Sequence, residues 1–294
     1  MVTRFARTAF VAACASAALV ASSLGGALAA TSAVGLGTAG SFAVLAGTTV
    51  TNTGASTVAG DLGVSPGSAV TGFPPGLVSG GVVHAADAAV AAAQADLTIA
   101  FDDAAGRAST GAVTADLGGQ TLVPGVYTGG ALALGGTLTL DGQGDAGGVF
   151  ILRASSTLVT ASASRVTLIN GAAACRVFWE VGSSATLGTS SNFAGTVLAL
   201  TSIAAQTNAS INGRLLARNG AVTLDSNTFS RPSCASAGGG VTGVTIPGTG
   251  GHAVAKLKGA VAAVLVGAVL VATGRRTKRG GRVTVVTATI PPEK

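Results

Sequence analysis

Histidine is almost missing from this chain of 294 residues, which has two. Only His84 lies between residues 30 and 251, and a lone histidine there is ordinary packing or surface, which argues against metal binding or histidine catalysis. Carboxylates are few and scattered: Asp87, Asp96, Asp102 and Asp103 fall in one Ala-rich stretch, and Asp141 and Asp145 sit at Gly-rich turns. A polysaccharide lyase or hydrolase would want clustered carboxylates or a base among basic residues, so an enzyme is the weakest reading and no cofactor is expected. Basic residues look plentiful, with 17 Lys and Arg, but Arg4, Arg7, Lys256, Lys258, Arg275, Arg276, Lys278, Arg279, Arg282 and Lys294 are all near the ends. Removing these ten leaves seven against ten Asp and Glu in residues 30–251, a net charge of about −3 that gives no footing for nucleic acid. Cysteine is scarce too, with three in all.

What the chain does have is a repeat. Phe193, Ile211 and Phe229 stand 18 residues apart, Thr189 lies over Thr207 and Gly195 over Gly213, and the runs Val197–Leu200 and Leu215–Ala217 keep the same offset. A fixed period of this length, rich in Gly, Thr, Ser and Asn, is the mark of an all-β solenoid in which each copy is one coil. One coil cannot bury its own apolar face, so Phe193, Ile211 and Phe229 are expected to stack as an interior ladder.

The chain opens with an export signal over 1–29. Arg4 and Arg7 precede an apolar run from Ala9 to Val20, and Ala27-Leu28-Ala29 has the small-x-small form of a cleavage site. Cys14 leaves with it, so Cys175 and Cys234 remain in an oxidising compartment, either paired as a disulfide across the repeats or as two free buried thiols. Residues 30–234 form one domain. From Thr38 to Gly72, short apolar groups alternate with turn residues and read as short strands. From Val82 to Arg107 the composition is Ala-rich, and Val83, Val90, Leu97 and Phe101 recur at sevens and fours, which predicts an amphipathic helix that carries His84 and lies along the solenoid.

The phrases Asp116 to Tyr127 (DLGGQTLVPGVY), Gly136 to Asp145 (GTLTLDGQGD), Val177 to Thr189 (VFWEVGSSATLGT), Ile211 to Phe229 (INGRLLARNGAVTLDSNTF) and Ala92 to Arg107 (AAQADLTIAFDDAAGR) resemble signatures of the bacterial and fungal ice-binding-like family, often labelled DUF3494. They occur in that family's order, within about residues 35–230. The resemblance implies a right-handed discontinuous β-helix with one long α-helix packed alongside, no catalytic residues, and a flat β-face that binds ice. The Thr-Ala/Gly-x-Thr/Asn pattern of some members is absent from that region and has a near match only at Thr242–Thr245.

Beyond Cys234 the sequence changes character. Residues 235–251 read as a Gly/Ser/Thr-rich stalk, residues 252–274 as a membrane span, and residues 275–294 as a basic cytoplasmic tail that stops it. Ile246, Pro247, Gly248, Thr249 and Gly250 resemble the Leu-Pro-x-Thr-Gly sorting motif, with Ile in place of Leu. Two outcomes stay open: wall attachment by a sortase, or a retained single span. Both place the domain outside the cell, anchored to membrane or wall, as a monomer.

Two functions fit a smooth, low-charge solenoid. One is ice binding, with ordered water and ice as the partner. The other is a surface adhesin or structural coat with a surface ligand and no ice activity. On the first reading, side chains of one strand parity place Thr189, Ser191, Thr207, Ala209 and Thr223 on a candidate ice face, with Thr223 one coil on from Ala205 and with Asp225 and Asn227 interrupting.

Overall fold

The structure is a computed structural model that describes residues 31–232 and Cys234. The expected export signal at 1–29, the expected stalk and sorting motif, the expected span at 252–274 and the expected basic tail lie outside the described residues. Among the described residues, no helix is long and apolar enough to cross a membrane.

The 18-residue register is the organising feature. Strands Asn192–Ala199 and Ser210–Ala217 pair in parallel from Asn192↔Ser210 to Ala199↔Ala217, and Ile211 pairs with Phe229 in turn. Phe193, Ile211 and Phe229 are all buried, as expected. The ladder runs on past the repeat, because strand Thr228–Ser230 pairs with Thr57–Ala59 and that strand with Leu77–Ser79. Stacked coils of this kind give a 15-stranded and a 7-stranded sheet.

Glycine makes the corner possible. Strand Asn192–Ala199 begins beside Arg165 and ends beside Phe178–Val181, so it turns from one face of the solenoid to another. At the bend Gly195 has φ +113°, and a Cβ on Gly213 would collide with the Gly195 carbonyl. This explains why glycine recurs in that column.

Coil order in space is not chain order. The first coil docks on the last: Val44 pairs with Leu215 and Val50 with Val222. The second coil stacks outside the first, through Leu62 against Val44 and Val70 against Val50. The helix Ala88–Gly106 then runs back along the solenoid to strand Gly111–Ala112 at the far end of the larger sheet. Its 19 residues span about 28 Å, close to six strand spacings of roughly 4.8 Å.

Two apolar layers result. The solenoid interior holds Leu158, Trp179, Phe193, Ile211 and Leu224. A second layer forms between the helix residues Val90, Ala93, Leu97, Ala100, Phe101 and Ala104 and the sheet residues Phe42, Ile151, Phe178, Leu198 and Leu216. Alanines on that stripe let the helix sit close to the sheet.

The helix begins later than its periodicity suggests. Val83–Ala85 is a strand paired with Leu62–Val64, and Ala86 at φ +52° turns the chain out of it. Val83 shares the helical spacing by coincidence, and His84 lies on the strand. The His84 ring packs on Phe42 at 5.4 Å, and its Nδ1 lies 2.7 Å from Asp87, which caps the helix by accepting from the Val90 N–H. At the other end of the repeats, Cys175 and Cys234 are joined as a disulfide across 59 residues of sequence, with Cα atoms 5.6 Å apart.

Candidate functional site

The solenoid has three faces, and the helix covers one of them. A second exposes Arg165, Asn192 and Asn212 among its hydroxyls, which makes it uneven and charged. The third is the 7-stranded sheet, with strands in the order Leu132–Leu134, Leu158–Thr160, Ala185–Leu187, Ile203–Ala205, Val222–Asp225, Thr49–Thr53 and Ala69–Thr71.

Alternation sorts its side chains. Leu132, Leu158, Ala185, Ile203, Val222 and Val50 point inward and are buried. The residue that follows each of these points outward. Ala133 pairs with Val159, Val159 with Thr186, Thr186 with Ala204, Ala204 with Thr223, Thr223 with Thr51 and Thr51 with Thr71. The result is one unbroken outward row of methyl and hydroxyl groups about 29 Å long at the usual strand spacing. No charged residue belongs to it. Val159, second from one end of the row, is 47% exposed, and Thr51 Oγ1 donates to Thr223 Oγ1 at 3.3 Å. Thr49 and Ala69 flank the row on one side, and Thr53 with Asp225 on the other.

Of the five residues expected on an ice face, Thr223 alone lies in this row. Ser191 is 2% exposed and Ala209 fully buried, so both are corrected to the interior. Thr189 and Thr207 sit in the turns that follow their strands, at the rim of the sheet. There they line one shallow depression together with Ala204, Thr223 and Asp225, and the Thr207 hydroxyl donates to the Asp225 carboxylate. The cause is local. Ser190 and Asn208 have φ of +56° and +61°, and a left-handed residue breaks the alternation that strand parity assumes. Asn227 occupies the place matching Ser191 and Ala209 and is buried as well. Its side chain accepts from the Asp225 N–H and donates to the Gln206 carbonyl, so it does not interrupt the outer surface.

A family model described as ice-binding-like matches residues 44–230. The chain belongs to the ice-binding-like family. An ice-binding protein of Nostoc sp. (strain HG1) is 50% identical over 198 residues, which is 66% of this chain and 73% of that one. Among solved structures, an ice-binding protein from the Antarctic ascomycete Antarctomyces psychrotrophicus matches with a TM-score of 0.65 and 49% identity, over 67% of this chain and 97% of that one. The DUF3494 domain of Shewanella frigidimarina ice-binding protein 1 matches at 0.66 and 29% identity, over 70% of this chain and 99% of that one.

Sequence reasoning passed over most of this family member's outward row. Thr186 and Ala204 keep the 18-residue offset, but Thr223 pairs with Ala204, not Ala205, because the turn before it holds one residue more than its counterpart. Thr51 and Thr71 were out of reach, since nothing in a local repeat says that the first coils dock beside residue 223. Shifted carboxylates lie elsewhere. Hydrogen bonds from the Val90 N–H and His84 hold Asp87 below the usual aspartate range, those from Thr38 do the same for Asp96, and the N–H groups of Gly118 and Gly135 for Asp116. Burial pushes Glu180 up against the opposing pull of Arg153. Among the described residues, no three His, Cys, Asp or Glu side chains converge as a metal site requires.

Proposed function

We propose that the chain is an exported protein that adsorbs to ice through the outer surface of its 7-stranded sheet. The observation that carries this reading is the in-register row Ala133, Val159, Thr186, Ala204, Thr223, Thr51 and Thr71. Rows of small groups recur at roughly 4.8 Å between strands and about 6.7 Å between alternate residues along a strand. Methyl groups at that spacing hold surface water in cages while hydroxyls fix its orientation, so the ordered layer merges with a crystal face. Each contact is weak, and affinity comes from many made at once on a surface that is already rigid.

The rest of the chain serves delivery. Export by residues 1–29 suits a disulfide, which persists outside the reducing cytosol. Residues 252–274 span the membrane, and Ile246 to Gly250 offer a sortase the alternative of wall attachment. The molecule acts as a monomer without a cofactor or catalytic group.

Recrystallisation of a frozen sucrose solution tests the reading on the exported chain. The parent should keep ice grains small, and Thr223→Tyr, with an unchanged circular dichroism spectrum, should not. A parent that leaves grain growth untouched would make the solenoid an adhesin or coat protein.

A further inference from the structure

The outward row divides into two unlike halves. Ala133, Val159, Thr186 and Ala204 come from four successive coils and carry one hydroxyl among them, on Thr186. Thr223, Thr51 and Thr71 all carry one, and Thr49 and Thr53 add two more on the strand of Thr51. This second half is composite. Thr51 and Thr223 are 172 residues apart in sequence and meet only because the first coil docks on the last.

We infer that ice recognition is anchored on this composite half, by the hydroxyls of Thr51, Thr71 and Thr223, and that Asn52 is the residue that positions the outermost of them. The inference rests on the 7-stranded face being the ice face. Threonine is stiff about χ1, and the 3.3 Å contact between Thr51 and Thr223 holds their hydroxyls side by side. They are therefore set before ice arrives, and little ordering remains to be done on contact. Methyl groups in the other half match a lattice by shape alone and cannot orient its water.

Asn52 enters because strand Ala69–Thr71 is an edge, paired only to Thr49–Thr51. An edge strand holds its place poorly unless something ties it. The Asn52 side chain points into the solenoid, 9% exposed, and its amide donates to the Gly54 carbonyl at 2.9 Å and the Gly72 carbonyl at 2.8 Å. One side chain thereby joins the turns that end both strands and sets Thr71 against Thr51. Its neighbour in register is Leu224, so this place accepts an apolar residue and a polar one here has a purpose other than packing.

The experiment uses the exported chain in single substitutions, read by the concentration that gives half-maximal recrystallisation inhibition. Thr51→Val and Thr71→Val remove a hydroxyl from the surface with little change of shape and should each raise it about fivefold or more, as the loss of one well-placed hydrogen bond predicts. Thr186→Val, in the other half, should change it less than twofold, because the Thr186 hydroxyl stands between Val159 and Ala204 with no neighbouring hydroxyl to hold it in place. Asn52→Leu should keep the melting temperature of the parent yet raise the concentration as Thr71→Val does, with faster hydrogen exchange confined to residues 69–72. If all three Val variants behave alike, recognition is not concentrated and the inference falls, while loss of inhibition in both Thr51→Tyr and Thr186→Tyr would still uphold the face as a whole. If both Tyr variants inhibit like the parent, the face itself is wrong. Asn52→Leu with parental inhibition would remove its positioning role.

Discussion

Replacing Ile211 by alanine tests whether the 18-residue period is a structural register. Ile211 is fully buried between Phe193 and Phe229, with Asn192–Ala199 on one side and Thr228–Ser230 on the other. Neither neighbour has room to collapse into a gap without breaking its own ladder bonds, so the cavity should stay largely open. Truncating a buried isoleucine in such a site costs roughly 3–4 kcal/mol. For a domain of about 200 residues, each kcal/mol lowers the midpoint by roughly 2–4 °C, which puts the expected fall at about 6–16 °C. Ile211→Val should cost only about 1 kcal/mol, and Ile211→Asp should prevent folding, because an unpaired carboxylate would be left in the apolar interior. Thermal unfolding followed by far-ultraviolet circular dichroism gives all three. An Ile211→Ala midpoint equal to that of the parent would show that the side chain is not interior and would refute the register.

Three further outcomes follow. Thiol labelling of the folded, non-reduced protein should find neither Cys175 nor Cys234 reactive, and Cys234→Ser should cost about 4 kcal/mol by loop-closure entropy over their sequence separation of 59; two labelled thiols per molecule would contradict the pairing. Asp87, Asp96 and Asp116 are held below the ordinary aspartate value of 3.8, so the stability they add is present above it and is lost as pH falls through their lower folded values. Glu180 is raised above 4.5, the opposite sign: its stabilising share is present at low pH and declines as pH climbs through its folded value. Glu180→Gln should therefore raise the melting midpoint relative to the parent more at pH 7 than at pH 4, and an equal effect at both pH values would refute the assignment. In the cell, Thr249→Ala should move the protein from the wall fraction to the membrane fraction; a parent already found in the membrane would favour the plain span.

How far the sequence could be read depended on whether the signal was local. Phe193, Ile211 and Phe229 announced their ladder because the coils that carry them follow one another and keep one length. The helix stripe of Val90, Leu97 and Phe101 was legible in the same way, whereas Val83 and His84 were not, since an apolar residue at the right spacing does not reveal a left-handed Ala86 between strand and helix. The face was the hardest part. Ser191 and Ala209 share a column, as their spacing says, but the column turns inward after a left-handed residue. Thr51 and Thr71 belong beside Thr223 only through the docking of the first coils on the last, a contact with no counterpart in any local pattern.

Adsorption of the fluorescently labelled exported chain onto a single growing ice crystal tests the central claim most directly, with Thr223→Tyr and Thr207→Tyr as a matched pair. Thr223 lies in the outward row and Thr207 in a turn at its rim, so one bulky ring disrupts the flat surface and the other lies beside it. The account predicts that the parent and Thr207→Tyr coat the crystal and resist washing, while Thr223→Tyr, equally well folded, stays in solution. Coating by Thr223→Tyr as dense as that of the parent would contradict it.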